Sequence, residues 1–123
     1  MLTIGIIALG VDDMRRAVDF WAQALGYAVD EDETTARWTT LVSPDGDGVP
    51  LGLMLSETPV QAHPREHLDL YVEDAAAQAA EVERLVGLGA ERVDWDLYPE
   101  DPDFVVLADP EGNRFCVVDR SHA

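Results

Sequence analysis

The feature that most constrains this chain is that it repeats itself. Arg37-Trp38-Thr39-Thr40-Leu41-Val42-Ser43-Pro44-Asp45-Gly46 aligns with Asp103-Phe104-Val105-Val106-Leu107-Ala108-Asp109-Pro110-Glu111-Gly112 at an offset of 66 residues. Trp38 then falls on Phe104, Leu41 on Leu107 and Pro-Asp-Gly on Pro-Glu-Gly. Upstream, Val11-Asp12-Asp13 and Val72-Glu73-Asp74 each precede a helical pattern at an offset of 61, and the helices run out at Leu25-Gly26 and Leu88-Gly89. A duplicated chain must satisfy the same local rules in both copies, so whatever one half forms the other must be able to form. The last stretch, Leu107 to Asp119, reads as two strands joined by a tight turn, because Asp109-Pro110 starts a turn and Gly112 can take a positive φ.

Taken in order, Thr3 to Leu9 is an apolar, β-branched run expected to be a strand buried on both faces. A helix follows, with Asp12 or Asp13 as its cap and Met14, Ala17, Val18, Trp21, Ala22 and Leu25 as its apolar stripe. Strands are expected at Tyr27–Val29, Arg37–Val42 and Leu51–Leu55, and the acidic run Asp30 to Glu33 as an exposed strand end or loop. Ser43 to Pro50 lacks the regular oxygen-ligand spacing of a calcium loop and reads as a turn. Residues 58–65 carry two prolines without periodicity and read as a linker, with His63 exposed, between a first module over 1–57 and a second over 66–123 within one structural domain.

The second module opens on clean alternation, with Leu68, Leu70 and Val72 on one face and His67, Asp69 and Tyr71 on the other. Ala75–Leu88 is expected as a helix with Ala76, Ala79, Ala80, Val82, Leu85 and Val86 inward and Gly89 as its stop. Glu91–Asp96 is expected as a strand, the closing hairpin follows, and Ser121 to Ala123 reads as a frayed tail.

Twenty-five acidic residues against eight basic ones, none of them lysine, give a formal charge of −17, which argues against nucleic acid and anionic membranes as partners and permits a cationic ligand. A solvated, solubilising surface accounts for most of that charge. No apolar run approaches the roughly 20 residues of a membrane span and no signal-peptide pattern is present, so a cytoplasmic location is expected. The single cysteine, Cys116, excludes an intrachain disulfide and a multi-cysteine zinc site.

The strand-helix-strand-strand-strand order, twice, with Val11-Asp12-Asp13 before the first helix, His67-Leu68-Asp69-Leu70-Tyr71-Val72 opening the second half and Asp109-Pro110-Glu111-Gly112-Asn113 near the end, resembles the vicinal oxygen chelate superfamily. That group includes glyoxalase I, fosfomycin- and bleomycin-resistance proteins and extradiol dioxygenases; the second half looks most like the small glyoxalase-like domains. The resemblance implies an α+β fold of two βαβββ modules forming a curved mixed sheet, a half-open cup with helices on its outer face, a ligand inside it and a homodimer. It also implies, for catalytic members, a divalent metal held by His, Gln or Glu from the first and last strands of each module. Carried over by motif, those positions are Ile6, Met54, His67 and Cys116, of which only His67 is an ordinary ligand, so no metal and no cofactor are expected.

If the cup forms, alternation places Ile6, Trp38 and Met54 from the first module and His67, Asp69, Tyr71, Phe104, Arg114 and Cys116 from the second on its lining, with Trp95 and Tyr98 closing the mouth. Trp38, Phe104 and Met54 suit a collapsed core equally well. His67 is read either as a general base oriented by Asp69 or as a hydrogen-bonded ligand contact, and Cys116 as a buried thiol. The leading expectation is a metal-independent protein that sequesters or carries a small hydrophobic or aromatic molecule. The alternative is a lyase, isomerase or dioxygenase-type enzyme using His67 as acid/base or metal ligand.

Overall fold

The computed structural model describes residues 1–122; the expected frayed tail reaches Ala123, which lies outside them. The chain is α+β and divides after Pro59 into two compact units. The first contains strand β1 (Ile7–Val11), helix α1 (Met14–Leu25), β2 (Ala28–Val29), a 3₁₀ turn over Glu31–Glu33, β3 (Trp38–Val42) and β4 (Leu51–Leu55). The second contains β5 (Leu68–Val72), α2 (Ala75–Gly87), β6 (Glu91–Arg92), β7 (Phe104–Ala108) and β8 (Arg114–Asp119). Each unit is therefore a βαβββ module. Their sheets have the same open, mixed arrangement, β1-β4-β3-β2 and β5-β8-β7-β6, in which the first strand runs parallel to the last and the other pairs are antiparallel.

Sequence dictates both helices at their ends. Asp13 caps α1 by accepting from Arg16 N at 3.1 Å, and Gly26 stops it in the left-handed region at φ 68°. Asp74 does the same for α2 through Ala77 N at 2.8 Å. Ala17, Phe20 and Trp21 of α1 are buried with Leu41, Leu51, Leu53 and Val11 of the first sheet, forming that module's core. In the second module Val82 and Leu85 join Leu107, Phe115 and Val117. The inward stripe of α2 differs from expectation, because Ala76, Ala79, Ala80 and Val86 are exposed. Gln78 instead pegs the helix to the sheet, its Nε2 donating to Asp103 O and Val117 O at 3.0 Å each. Two sheet carbonyls fix the helix's rotation more tightly than methyl groups can.

The first strand also starts later than the apolar run suggests. Its extent is set by pairing with β4, whose first residue Leu51 partners Ile7; Ile4 and Ile6 lie before that ladder and are 75% and 40% exposed. The expectation of a strand buried on both faces therefore fails. Likewise β6 ends at Arg92, so Trp95 stands in the loop beyond it. Among the described residues no helix is long and apolar enough to cross a membrane.

Candidate functional site in the second module

The face of the second sheet turned away from α2 carries the site. Strand pairing sets Asp69 beside Cys116 and Cys116 beside Val106 in one row across β5, β8 and β7, and Tyr71, Val118 and Phe104 in the next. These two rows floor a cavity of about 480 Å³, a volume suited to a small organic ligand. His67, immediately before β5, and Arg114 at the start of β8 stand at one end; Asp103, just before β7, also lines it.

Asp69 is the polar centre of the floor. His67 Nε2 lies 3.0 Å from Asp69 Oδ1, and both side chains are about half exposed. Cys116 is 7% exposed; burial first, then the charge of Asp69 and a hydrogen bond to it, with Asp103 adding further negative charge, push its thiol up to about 12. The thiol is thus protonated at neutral pH and donates to Asp69, which makes it an unsuitable nucleophile. Asp69 accepts from the thiol on one side and has the His67 imidazole beside it on the other.

The rim is braced by residues distant in sequence. Arg114 Nη1 donates to Ala62 O at 2.7 Å, and its guanidinium lies 5.9 Å from the centre of the Trp95 ring. His63 sits 5.1 Å from the same ring and 2.7 Å from Asp96 Oδ1. Asp96 is held below the usual carboxylate range by that hydrogen bond first and by its own backbone N–H, with the charges of His63 and Arg114 contributing. His63 is exposed as expected, yet it has partners. Tyr98 does not line the cavity: its hydroxyl accepts from Val106 N at 2.7 Å and its ring packs 5.2 Å from Phe104, so it covers the backbone edge of β7. Sequence reasoning missed Pro64, Leu97, Asp103, Phe115 and Val118 as lining residues. Alternation from Cys116 would have reached Val118; Leu97 and Pro64 leave no local signal.

The remaining candidates, Ile6, Trp38 and Met54, belong to the first module and are not among the lining of this cavity. Their register needs correction as well. Leu41 pairs with Leu51 as Leu107 pairs with Phe115, so the offset falls from 66 to 64 across the hairpin, and the residue equivalent to Cys116 is Gly52; Met54 corresponds to Val118. The longer turn over Ser43–Pro50 adds two residues to the ladder-to-ladder path, whereas equating Met54 with Cys116 would need four. Gly52 is required there, because a Cβ would run into the Trp38 indole, which lies across it and donates Nε1–H to Thr40 Oγ1 at 2.7 Å. Thr40 in turn donates to Glu33 O at 2.9 Å. Met54 and Ile6 are exposed, at 44% and 40%.

A divalent centre drawing ligands from both modules does not fit these residues. Ile6 and Gly52 have no side-chain donor. In the second module the donor atoms of His67, Asp69 and Cys116 all lie within 4.8 Å of one another. His67 Nε2 lies 3.0 Å from Asp69 Oδ1. A mixed Cys/His/Asp set differs from the oxygen-rich sites of magnesium or manganese.

Two βαβββ modules with open mixed sheets, each backed by one helix, define the vicinal oxygen chelate class of α+β protein. The chain belongs to the glyoxalase-like domain family, whose model matches residues 6–118. It is similar in structure to a glyoxalase/bleomycin resistance protein/dioxygenase family enzyme from Burkholderia phytofirmans PsJN, with a TM-score of 0.76 and 18% identity over 96% of this chain and 98% of that one. A glyoxalase-related enzyme from Fulvimarina pelagi gives a TM-score of 0.73 and 18% identity over 98% and 90%. The fosfomycin resistance protein FosX from Listeria monocytogenes, solved with Mn(II) and 1S,2S-dihydroxypropylphosphonic acid, gives 0.73 and 13% over 96% and 90%. At these identities the likeness is one of fold alone. No curated protein matches the sequence.

Proposed function

We propose that this protein binds a small hydrophobic or aromatic molecule in the second-module cavity without a metal, as a sequestering or carrier protein. The observation that carries the reading is the cavity's composition. A concave floor of about 480 Å³ presents Tyr71, Phe104, Trp95, Val106 and Val118 around one oriented carboxylate. Flat rings supply contact area at small entropic cost, and a few fixed polar groups orient the ligand. A thermal-shift screen with aromatic amines, alcohols and acids tests it, since a ligand at 100 times its Kd adds about 2.7 kcal/mol of stability. Hits are expected to persist after chelation and dialysis and to vanish in Val118→Trp, which fills the floor. A hit that needs added divalent metal, or that survives in the filled variant, overturns the proposal.

The His67–Asp69 contact at 3.0 Å favours one second reading, an acid/base lyase or isomerase. An imidazole set beside a carboxylate is an arrangement that can serve general acid/base chemistry. The two readings separate on His67→Gln: an enzyme loses turnover and keeps binding, whereas a carrier has no turnover to lose.

A further inference from the structure

We infer that the second-module cavity selects organic cations, a protonated amine or quaternary ammonium on an apolar body, with Asp69 and Asp103 facing the charge and Tyr71 and Phe104 against the carbon skeleton. This rests on the reading of the cavity as a ligand site and specifies the class of ligand.

The acidic groups of the cavity outnumber its free cations. Besides His67, the lining carries two carboxylates, Asp69 and Asp103, and one guanidinium, Arg114. Arg114 is committed at the rim, bonded to Ala62 O, laid over Trp95 and close enough to Asp96 to lower its pKa. Its guanidinium is therefore fixed at the rim by groups of the protein before a ligand arrives. Asp69 is oriented by a hydrogen bond from the Cys116 thiol, which leaves its charge in place, and His67 Nε2 lies 3.0 Å from its Oδ1. The Asp103 carboxylate has no hydrogen-bond partner among the described residues. An anionic ligand would meet both carboxylates, and a neutral one would strip water from them without replacing it. A cation satisfies them.

The rings agree with this. Arg120 lies 5.1 Å from the Tyr71 ring centre and Arg114 5.9 Å from that of Trp95, whereas Phe104 carries no guanidinium among the described residues and leaves its ring to the ligand. The formal charge of −17 adds a long-range field of the same sign, which concentrates cations near the mouth.

The test is calorimetry at physiological salt with three probes of matched shape: 2-phenylethylammonium, 2-phenylethanol and 3-phenylpropionate. The ammonium is expected to bind at least about tenfold more tightly than the alcohol, and the carboxylate most weakly. Asp103→Asn should cut the ammonium-to-alcohol ratio by roughly threefold or more, with the ammonium binding more weakly, and Asp69→Asn should do the same. Melting curves check that both variants fold; Asp103→Asn removes no hydrogen bond of the fold and carries the test alone if Asp69→Asn is unstable. Equal binding of all three probes, or a ratio that survives neutralisation, overturns the cation inference and leaves the cavity reading standing. No binding of any probe up to about 10 mM overturns both.

Discussion

Replacing Trp38 by alanine tests how the two modules have diverged. The indole is half-buried and lies across Gly52, with its Nε1–H on Thr40 Oγ1 at 2.7 Å. Emptying a fully buried aromatic site costs about 3–5 kcal/mol, so half-burial scales to about 2 kcal/mol. Thr40 is only 6% exposed and loses its donor, which adds about 1 kcal/mol. Urea unfolding followed by circular dichroism should therefore show a loss of about 3 kcal/mol with an unchanged slope. Gly52→Ala provides the companion measurement: its Cβ would run into the indole, at an overpacking cost of about 1–3 kcal/mol. In the Trp38→Ala background the same alanine has room and gains roughly 0.5–1 kcal/mol from reduced backbone freedom, so the two changes must be strongly non-additive. A loss below about 1 kcal/mol for Trp38→Ala, or additivity of the pair, would refute the reasoning and return Trp38 to the role of a loose lining residue.

Gly112 sits at φ 89°, and Gly112→Val should destabilise by about 1–3 kcal/mol, more than His67→Ala, which removes one half-exposed contact worth less than about 1 kcal/mol; chemical denaturation of both variants decides the order. Between pH 9.0 and about 12 the unfolded chain releases the Cys116 proton while the folded chain keeps it, so stability should fall as pH rises through that window, and the fall should be shallower in Cys116→Ala. The same protonated, buried thiol should react with a disulfide reagent at pH 8 only as fast as the protein opens. A homodimer is expected, so light scattering in moderate salt should give twice 13.5 kDa, and the monomer mass would count against it.

Duplication made the fold legible, because the same weak signals occur twice: Asp caps and Leu-Gly stops at α1 and α2, and Pro-x-Gly turns between β3 and β4 and between β7 and β8. What remained hidden depended on partners far along the chain. Ile6 looked like a strand residue since nothing local says where β4 begins, and the ladder with Leu51 decides it. Met54 was displaced by the path of the Ser43–Pro50 turn, whose length in register cannot be read from its residue count. The cavity floor of Asp69, Tyr71, Phe104 and Cys116 followed from period-two alternation. Trp95 reached the rim through His63 and Arg114, contacts that no periodicity encodes.

The corrected register also shows how the two modules differ at the positions that floor the cavity. At equivalent strand positions the second module places Cys116 beside Asp69 and Val106, all with space above them, while the first places Gly52 beside Ala8 and Thr40. Glycine there leaves a notch, and the protein fills it with its own Trp38 ring, tied down through Thr40 to Glu33 O. Phe104, at the position equivalent to Trp38, meets Val118 across the ladder and packs against Tyr98, a loop ring that fixes it without covering Cys116. A large residue facing a notch closes a site; the same position held aside by a loop tyrosine keeps one open. Tyr98→Ala should therefore free Phe104 to swing and lower probe affinity, although Tyr98 itself lies outside the cavity lining. Unchanged affinity in that variant, with the protein still folded, would show that the cavity is held open by the sheet alone.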